Sequence, residues 1–150
     1  MSVDESFKVL VDYSKTLIEM IKLGRYNFVT DINDQRFLLQ GAGQHEVELV
    51  LVHLMDQPTT NKGLVYLNEQ VKPAKIEHLL SFGAKYPDIQ REFRVIALGS
   101  SFVNDWGFRG YPFLYSGGGM RGLRLCWRHG TDAHAHWNDD CRFLAVRKEV

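Results

Sequence analysis

The 150 residues carry eighteen basic and eighteen acidic side chains, with 45% hydrophobic and 24% charged content. That is the size and composition of one compact soluble domain. The zero formal net charge, with no run of like charges, argues against nucleic acid or an anionic membrane as a partner. The N-terminus "MSVDESFKVLVDYS" lacks a basic n-region and a continuous apolar stretch, and the longest apolar run, "LVLVHL", is too short to span a bilayer. The expectation is a cytoplasmic protein whose two cysteines, Cys126 and Cys141, are reduced thiols.

In chain order, residues 2–23 read as an amphipathic helix. Ser2 and Glu5 have capping-box spacing, Phe7, Leu10, Val11, Leu17, Ile18 and Ile21 recur at helical period, and Gly24 occupies a left-handed C-cap position. "RFLLQ" (36–40) reads as a short strand, and "HEVELVLVHL" (45–54) as a strand entering the core. A short helix through Leu64 and Leu67 follows. Pro73 suits the first turn of another helix, with Ile76, Leu79, Leu80 and Gly83 as its buried stripe and Pro87 as its stop. Beyond that the chain reads as strands: "FRVIALGSSFV", "FRGYPFLYS", "GLRLCWRH" and "CRFLAVRK", with "SGGGM" as a hairpin connection. The 45–54 and 141–148 segments are expected neighbours.

The string "KPAKIEHLLSFGAKYPDIQREFRVIALGSSFV", then "GFRGYPFLY", "RGLRLCW" and the closing "CRFLAVRK", resembles a group of uncharacterised bacterial proteins. In these an "xPAxxxELLxFGxxYP" helix precedes "ALGS" and a Trp- and Asp-rich segment precedes "RFLAVRK". The resemblance covers residues 40–148, with His78 at a usually acidic position and Phe102 where Trp is commoner. The layout is also similar to the C-type-lectin-like fold of formylglycine-generating enzyme relatives and variable receptor proteins. This implies an α+β fold: a single C-type-lectin-like domain, 41–150, preceded by an N-terminal helical extension, 1–40. It implies a binding scaffold with variable loops and no shared reaction.

The segment 123–148 concentrates reactive residue types: His129, His134, His136, Asp132, Asp139, Asp140, both cysteines, Trp127 and Trp137. "CxxH…HxHxxxxC" has zinc-ligand types but not the spacing of a common zinc module. Alternation along "GLRLCWRH" puts Leu123, Leu125 and Trp127 on one face and Arg124, Cys126 and Arg128 on the other, so Cys126 lies beside two arginines. No nucleophile elbow, Walker loop or HExxH motif occurs, and formylglycine chemistry needs a cysteine pair that no motif here brings together. No cofactor or metal is assigned.

Rigid aromatic rings beside Asn, Asp and Arg make a recognition surface. The expected ligand-binding set is Trp106, Arg109, Tyr111, Tyr115, Arg121, Arg128, His134, His136, Trp137 and Asp139, on loops 104–111, 115–122 and 129–140. Arg124 belongs with the arginines suited to anions or to ring stacking. The leading reading is therefore a non-enzymatic module that binds a small molecule, peptide or partner protein. The alternatives are a metal-dependent enzyme using loop 129–140, and a structural or regulatory protein forming a homodimer through residues 2–23.

Overall fold

The computed structural model describes residues 2–54, 60, 64, 67, 71–129 and 137–147, without the side chains of 2–5 and 129. Its strands are β1 (Ser2–Asp12), β2 (Phe28–Val29), β3 (Gln44–His53), β4 (Lys72–Pro73), β5 (Arg94–Ile96), β6 (Phe102–Val103), β7 (Phe108–Gly117), β8 (Met120–His129) and β9 (Cys141–Val146). Two helices, α1 (Leu17–Leu23) and α2 (Ile76–Lys85), and a 3-10 turn (Ile89–Arg91) accompany them. Thr60, Leu64 and Leu67 are also helical.

The strands form one nine-stranded mixed sheet in the order β1-β3-β9-β5-β7-β8-β2, with β4 also on β9 and β6 also on β7. The parallel pairs are β5–β9 and β2–β8; the others are antiparallel. The expected pairing of 45–54 with 141–148 is present, from Leu49 opposite Val146 to Val52 opposite Phe143.

This architecture overturns the α+β, C-type-lectin-like reading with an N-terminal amphipathic helix. Residues Ser2–Asp12 form an edge strand that pairs with β3 from Ser2 opposite His53 to Asp12 opposite Gln44. The segment fits two periods at once. Phe7, Val9 and Val11 alternate into the core, while Leu10, which supported the helical count, is 54% exposed. Pairing with β3 decides for the period of two and buries all three inward residues.

The helix starts later than expected. Thr16 caps α1: its Oγ1 accepts from Glu19 N at 3.1 Å while Glu19 Oε1 accepts from Thr16 N at 2.9 Å. Gly24 is right-handed (φ −74°), and the left-handed residue is Arg25 (φ 52°). Gly24 is needed for space, because a Cβ there would lie 2.2 Å from the Tyr26 ring. Pro73 is in β4, opposite Ala145, and not in a first helical turn. "RFLLQ" forms no strand, though Phe37 is buried.

The sheet is covered on both faces. One core joins Phe7, Val9, Val11, Leu49, Leu51, Val95, Leu114, Leu123, Leu125 and Leu144 to Leu17 and Met20 of α1 and the buried stripe of α2. That stripe contains Ile76, Leu79, Leu80 and Gly83, as periodicity predicted. The second core, on the other face, joins Val50, Val52, Ile96, Tyr111, Phe113, Phe143 and Ala145 to Leu67, Val71 and Trp137. A sheet buried on both faces gives near-continuous apolar runs in β3, β5 and β9. Among the described residues no helix is long and apolar enough to cross a membrane.

Buried polar groups tie the helices down. Glu77 accepts from Tyr13 Oη at 2.9 Å, and burial followed by Glu77 pushes the Tyr13 phenol up to about 12. His78 on α2 is half-buried. Its Nδ1 accepts from Lys75 N at 2.9 Å, and burial holds its pKa below the ordinary value, in keeping with a neutral ring.

Candidate functional site: the arginine and aromatic face of a hairpin

Strands β7 and β8 form a long antiparallel hairpin closed by Gly118 and Gly119, with φ of 60° and 80°. Two successive positive-φ residues make the tight connection that matches strand twist, as "SGGGM" predicted. The register sets Arg109 opposite Arg128, Tyr111 opposite Cys126 and Phe113 opposite Arg124. Alternation then divides the hairpin as expected, with Leu123, Leu125 and Trp127 in or against the first core. Tyr111 and Phe113 enter the second core, with Tyr115 and Cys126 packed against it.

On that second face the arginines lie over rings. The Arg124 guanidinium is 4.6 Å from the Tyr115 ring centre and 5.3 Å from that of Phe113. Arg128 sits 3.9 Å over the Trp137 ring. Arg109, exposed, donates to Ser101 Oγ at 2.6 Å. Burial raises the Tyr111 pKa, and the nearby Arg109 and Arg128 charges oppose that rise. Among the described residues none of Arg109, Arg124 and Arg128 forms a salt bridge. Two like charges directly opposite across a ladder destabilise it. An anion bound between them removes that penalty.

No protein-family profile, curated protein or solved structure matches this chain. The site therefore rests on its own geometry.

That geometry brings together five of the expected residues: Arg109, Tyr111, Tyr115, Arg128 and Trp137. Trp137, expected on a loop tip, is instead 2% exposed. Its Nε1 donates to Thr60 Oγ1 at 2.9 Å, and its ring meets Phe143 and Tyr111 edge-on at 5.6 and 6.3 Å. It is the floor beneath Arg128.

Trp106 is 81% exposed at the β6–β7 turn. Asn104 Oδ1 builds that turn by accepting from Trp106 N and Phe108 N, both at 3.0 Å, and Gly107 has φ 83°.

Arg121 is elsewhere. It is buried on the opposite side of the hairpin, donating to Gly24 O (2.6 Å), Gly83 O (2.9 Å) and Gln90 Oε1 (2.9 Å). The Tyr26 ring covers its guanidinium at 4.8 Å. It is a structural cation that fastens the chain after α1 to α2 and the 3-10 turn. Arg121 shares the parity of Leu123, Leu125 and Trp127, so strand alternation contained this signal. The same rule puts Arg124 on the face of the second core.

Asp139 pairs with His53, Oδ1 to Nε2 at 2.9 Å. His53 at the end of β3 is thus a satisfied histidine, and nothing in the sequence connects it to a residue so distant in the chain. His134 and His136 lie outside the described residues. Among the described residues no group of three or more His, Cys, Asp or Glu is placed to hold a metal. Both cysteines are free thiols, and burial, then Asp140, pushes Cys141 up to about 11, so it is protonated at neutral pH.

Proposed function

We propose that this protein is a non-enzymatic binding module whose β7–β8 face recognises a carboxylate or phosphate group carried by a small molecule, peptide or partner protein. The supporting observation is the cross-strand pair Arg109 and Arg128, neither in a salt bridge among the described residues, with Arg124 on the same face four residues along β8. Guanidinium groups suit planar, two-pronged recognition of such anions. Arg128 is held in place by the buried Trp137 and Arg124 by Tyr115, so little side-chain freedom is lost on binding. The half-buried Tyr115 is the ring on this face left partly open to an aromatic ligand body, while Tyr111 and Phe113 are buried beneath it.

The test is titration with phenyl phosphate and benzoate, followed by calorimetry and by the side-chain Nε–H resonances of the arginines in NMR. The expected result is saturable shifts at Arg109, Arg124 and Arg128, and loss of binding in Arg109→Ala and Arg128→Ala with the fold retained. Equal, unsaturated shifts at Arg36 or Arg147, which lie off this face, would reduce the effect to nonspecific screening.

A further inference from the structure

A concave feature lies on the other face of the sheet, where the edge strand β1 meets α1 and α2. A groove of about 370 Å³ runs there, within the about 300–1,000 Å³ range of small-molecule sites. Met20 and Leu80, almost fully buried, line it, together with Ala84. Leu10 and Leu23, each 54% exposed, also line it. Two aliphatic side chains more than half in water beside an apolar channel are an unfilled contact surface.

The groove lining carries two lysines, Lys15 and Lys85, and one carboxylate, Asp12. Asp12 is turned to its own turn: Oδ1 accepts from Ser14 N at 3.0 Å and Ser14 Oγ at 2.6 Å, and Oδ2 from Gln44 Nε2 at 3.3 Å. Glu19, the other carboxylate close to Lys15, is held by the α1 cap through Thr16 N at 2.9 Å. Lys85 is anchored by donating from Nζ to Lys8 O at 2.7 Å, which leaves two of its ammonium protons free. Lys15 completes the rim. The hydrogen bonds to Asp12 and Glu19 occupy the carboxylate oxygens without cancelling their charge, and the lining itself, two lysines against Asp12, keeps one positive charge in excess.

The same contacts disfavour strand addition and self-association. Lys8 O, in the middle of the β1 edge, already accepts from Lys85 Nζ and from Tyr86 Oη at 3.1 Å, which blocks the edge to another strand. Two copies meeting at this groove would bring Lys15 and Lys85 of each into one apolar contact. That is like-charge repulsion in a drying interface.

We propose that this groove is a binding site for an aliphatic carboxylate, its chain lying along Leu10, Leu23, Leu80 and Ala84 and its headgroup on Lys15 and Lys85. Apolar burial then sets affinity by chain length, and the lysines select the charged end.

The experiment uses the full chain and a homologous series of butanoate, hexanoate and octanoate below their micellar concentrations, measured by calorimetry and amide chemical shifts. Each added methylene is expected to tighten Kd about twofold to fourfold while the groove has room. Octanol is expected to bind at least about tenfold more weakly than octanoate, and Lys15→Gln to shrink that difference. Leu23→Asn weakens the whole series, and Arg109→Glu, which removes the anion site on the hairpin, leaves its chain-length dependence unchanged. That last variant separates failure of this site from failure of the anion site on the hairpin. The proposal is overturned if octanoate binds no better than butanoate, or if octanol equals octanoate. It is overturned equally if light scattering finds a dimer that Leu23→Asp converts to a folded monomer, since the occupant would then be a second copy joined through residues 2–23.

Discussion

Trp106 and Trp137 have the same side chain in opposite surroundings, and replacing each by alanine tests the placement of the whole hairpin face. Trp137 is 2% exposed, and Trp106 is 81% exposed. Deleting a buried Trp ring costs about 3–5 kcal/mol, as transfer free energy and as cavity. Part of that cost at Trp137 is identifiable. The edge contacts with Phe143 and Tyr111 contribute about 0.5–1.5 kcal/mol each, the hydrogen bond to Thr60 about 1 kcal/mol, and the Arg128 stacking about 0.5–2 kcal/mol. These shares overlap with the burial figure and do not add to it. For a domain of this size about 1 kcal/mol moves the melting temperature by about 2–4 °C, so Trp137→Ala should lower it by about 6–20 °C. Trp106→Ala should change stability by no more than about 0.5 kcal/mol. Urea unfolding followed by far-ultraviolet circular dichroism measures both, and Trp137→Phe should recover part of the loss without the Thr60 bond. A Trp137→Ala protein as stable as the parent, or a Trp106→Ala protein that unfolds, would refute this account of the second core.

Arg109→Glu turns the like-charge pair with Arg128 into an opposite pair. It should be more stable than Arg109→Ala by about 0.2–1 kcal/mol at low salt, with the gain shrinking at high salt and anion binding lost. Burial pushes Tyr26 up to about 12 from 10.0, against the opposing charge of Arg121. The folded state therefore keeps a proton that the unfolded chain releases: this contribution is complete below pH 10 and is lost as pH rises from 10 to about 12. Tyr26→Phe should weaken that alkaline loss in urea titrations at pH 9 and pH 11. It should change stability little at neutral pH, since Tyr26 Oη is buried without a well-formed hydrogen bond among the described residues. At Gly99 a Cβ would lie 2.6 Å from both Ala74 O and Pro73 O, so Gly99→Ala must displace backbone. A loss of about 1–3 kcal/mol in urea unfolding is expected, and a neutral substitution would show that β4 does not pack so closely there.

The parts of the fold legible in the sequence were those where one period dominated. The "SGGGM" turn, the α2 stripe and the two-faced pattern of "GLRLCWRH" each had a single local explanation. Residues 2–12 did not, because Leu10 and Leu17 completed a helical count that Phe7, Val9 and Val11 also satisfied as a strand. Only the partner β3, more than thirty residues away, decides between them. The same dependence on distant partners explains Trp137. Nothing near it in the chain predicts burial; Thr60, Tyr111 and Phe143 arrive from three other segments.

Under the proposed binding function, the arginines of β8 divide between stability and recognition. Arg121, Arg124 and Arg128 have the same chemistry and lie within eight residues, so composition alone groups them. The sheet separates them by parity. Arg121 points toward α2, where Gly24, Gly83 and Gln90 offer oxygens in place of a carboxylate. Those neutral acceptors bond its terminal nitrogens, leave Nε without a partner among the described residues and leave its charge uncancelled, tolerated because guanidinium is weakly hydrated and stacked on Tyr26. Arg124 and Arg128 point the other way, where rings fix their planes and no carboxylate neutralises them among the described residues. Removing Arg121 should therefore act on folding, because it leaves buried carbonyls without donors. Removing Arg124 should act on binding. A double comparison of Arg121→Leu with Arg124→Leu, in urea and in phenyl phosphate titration, should give opposite patterns, and matching patterns would mean that the two arginines share one environment.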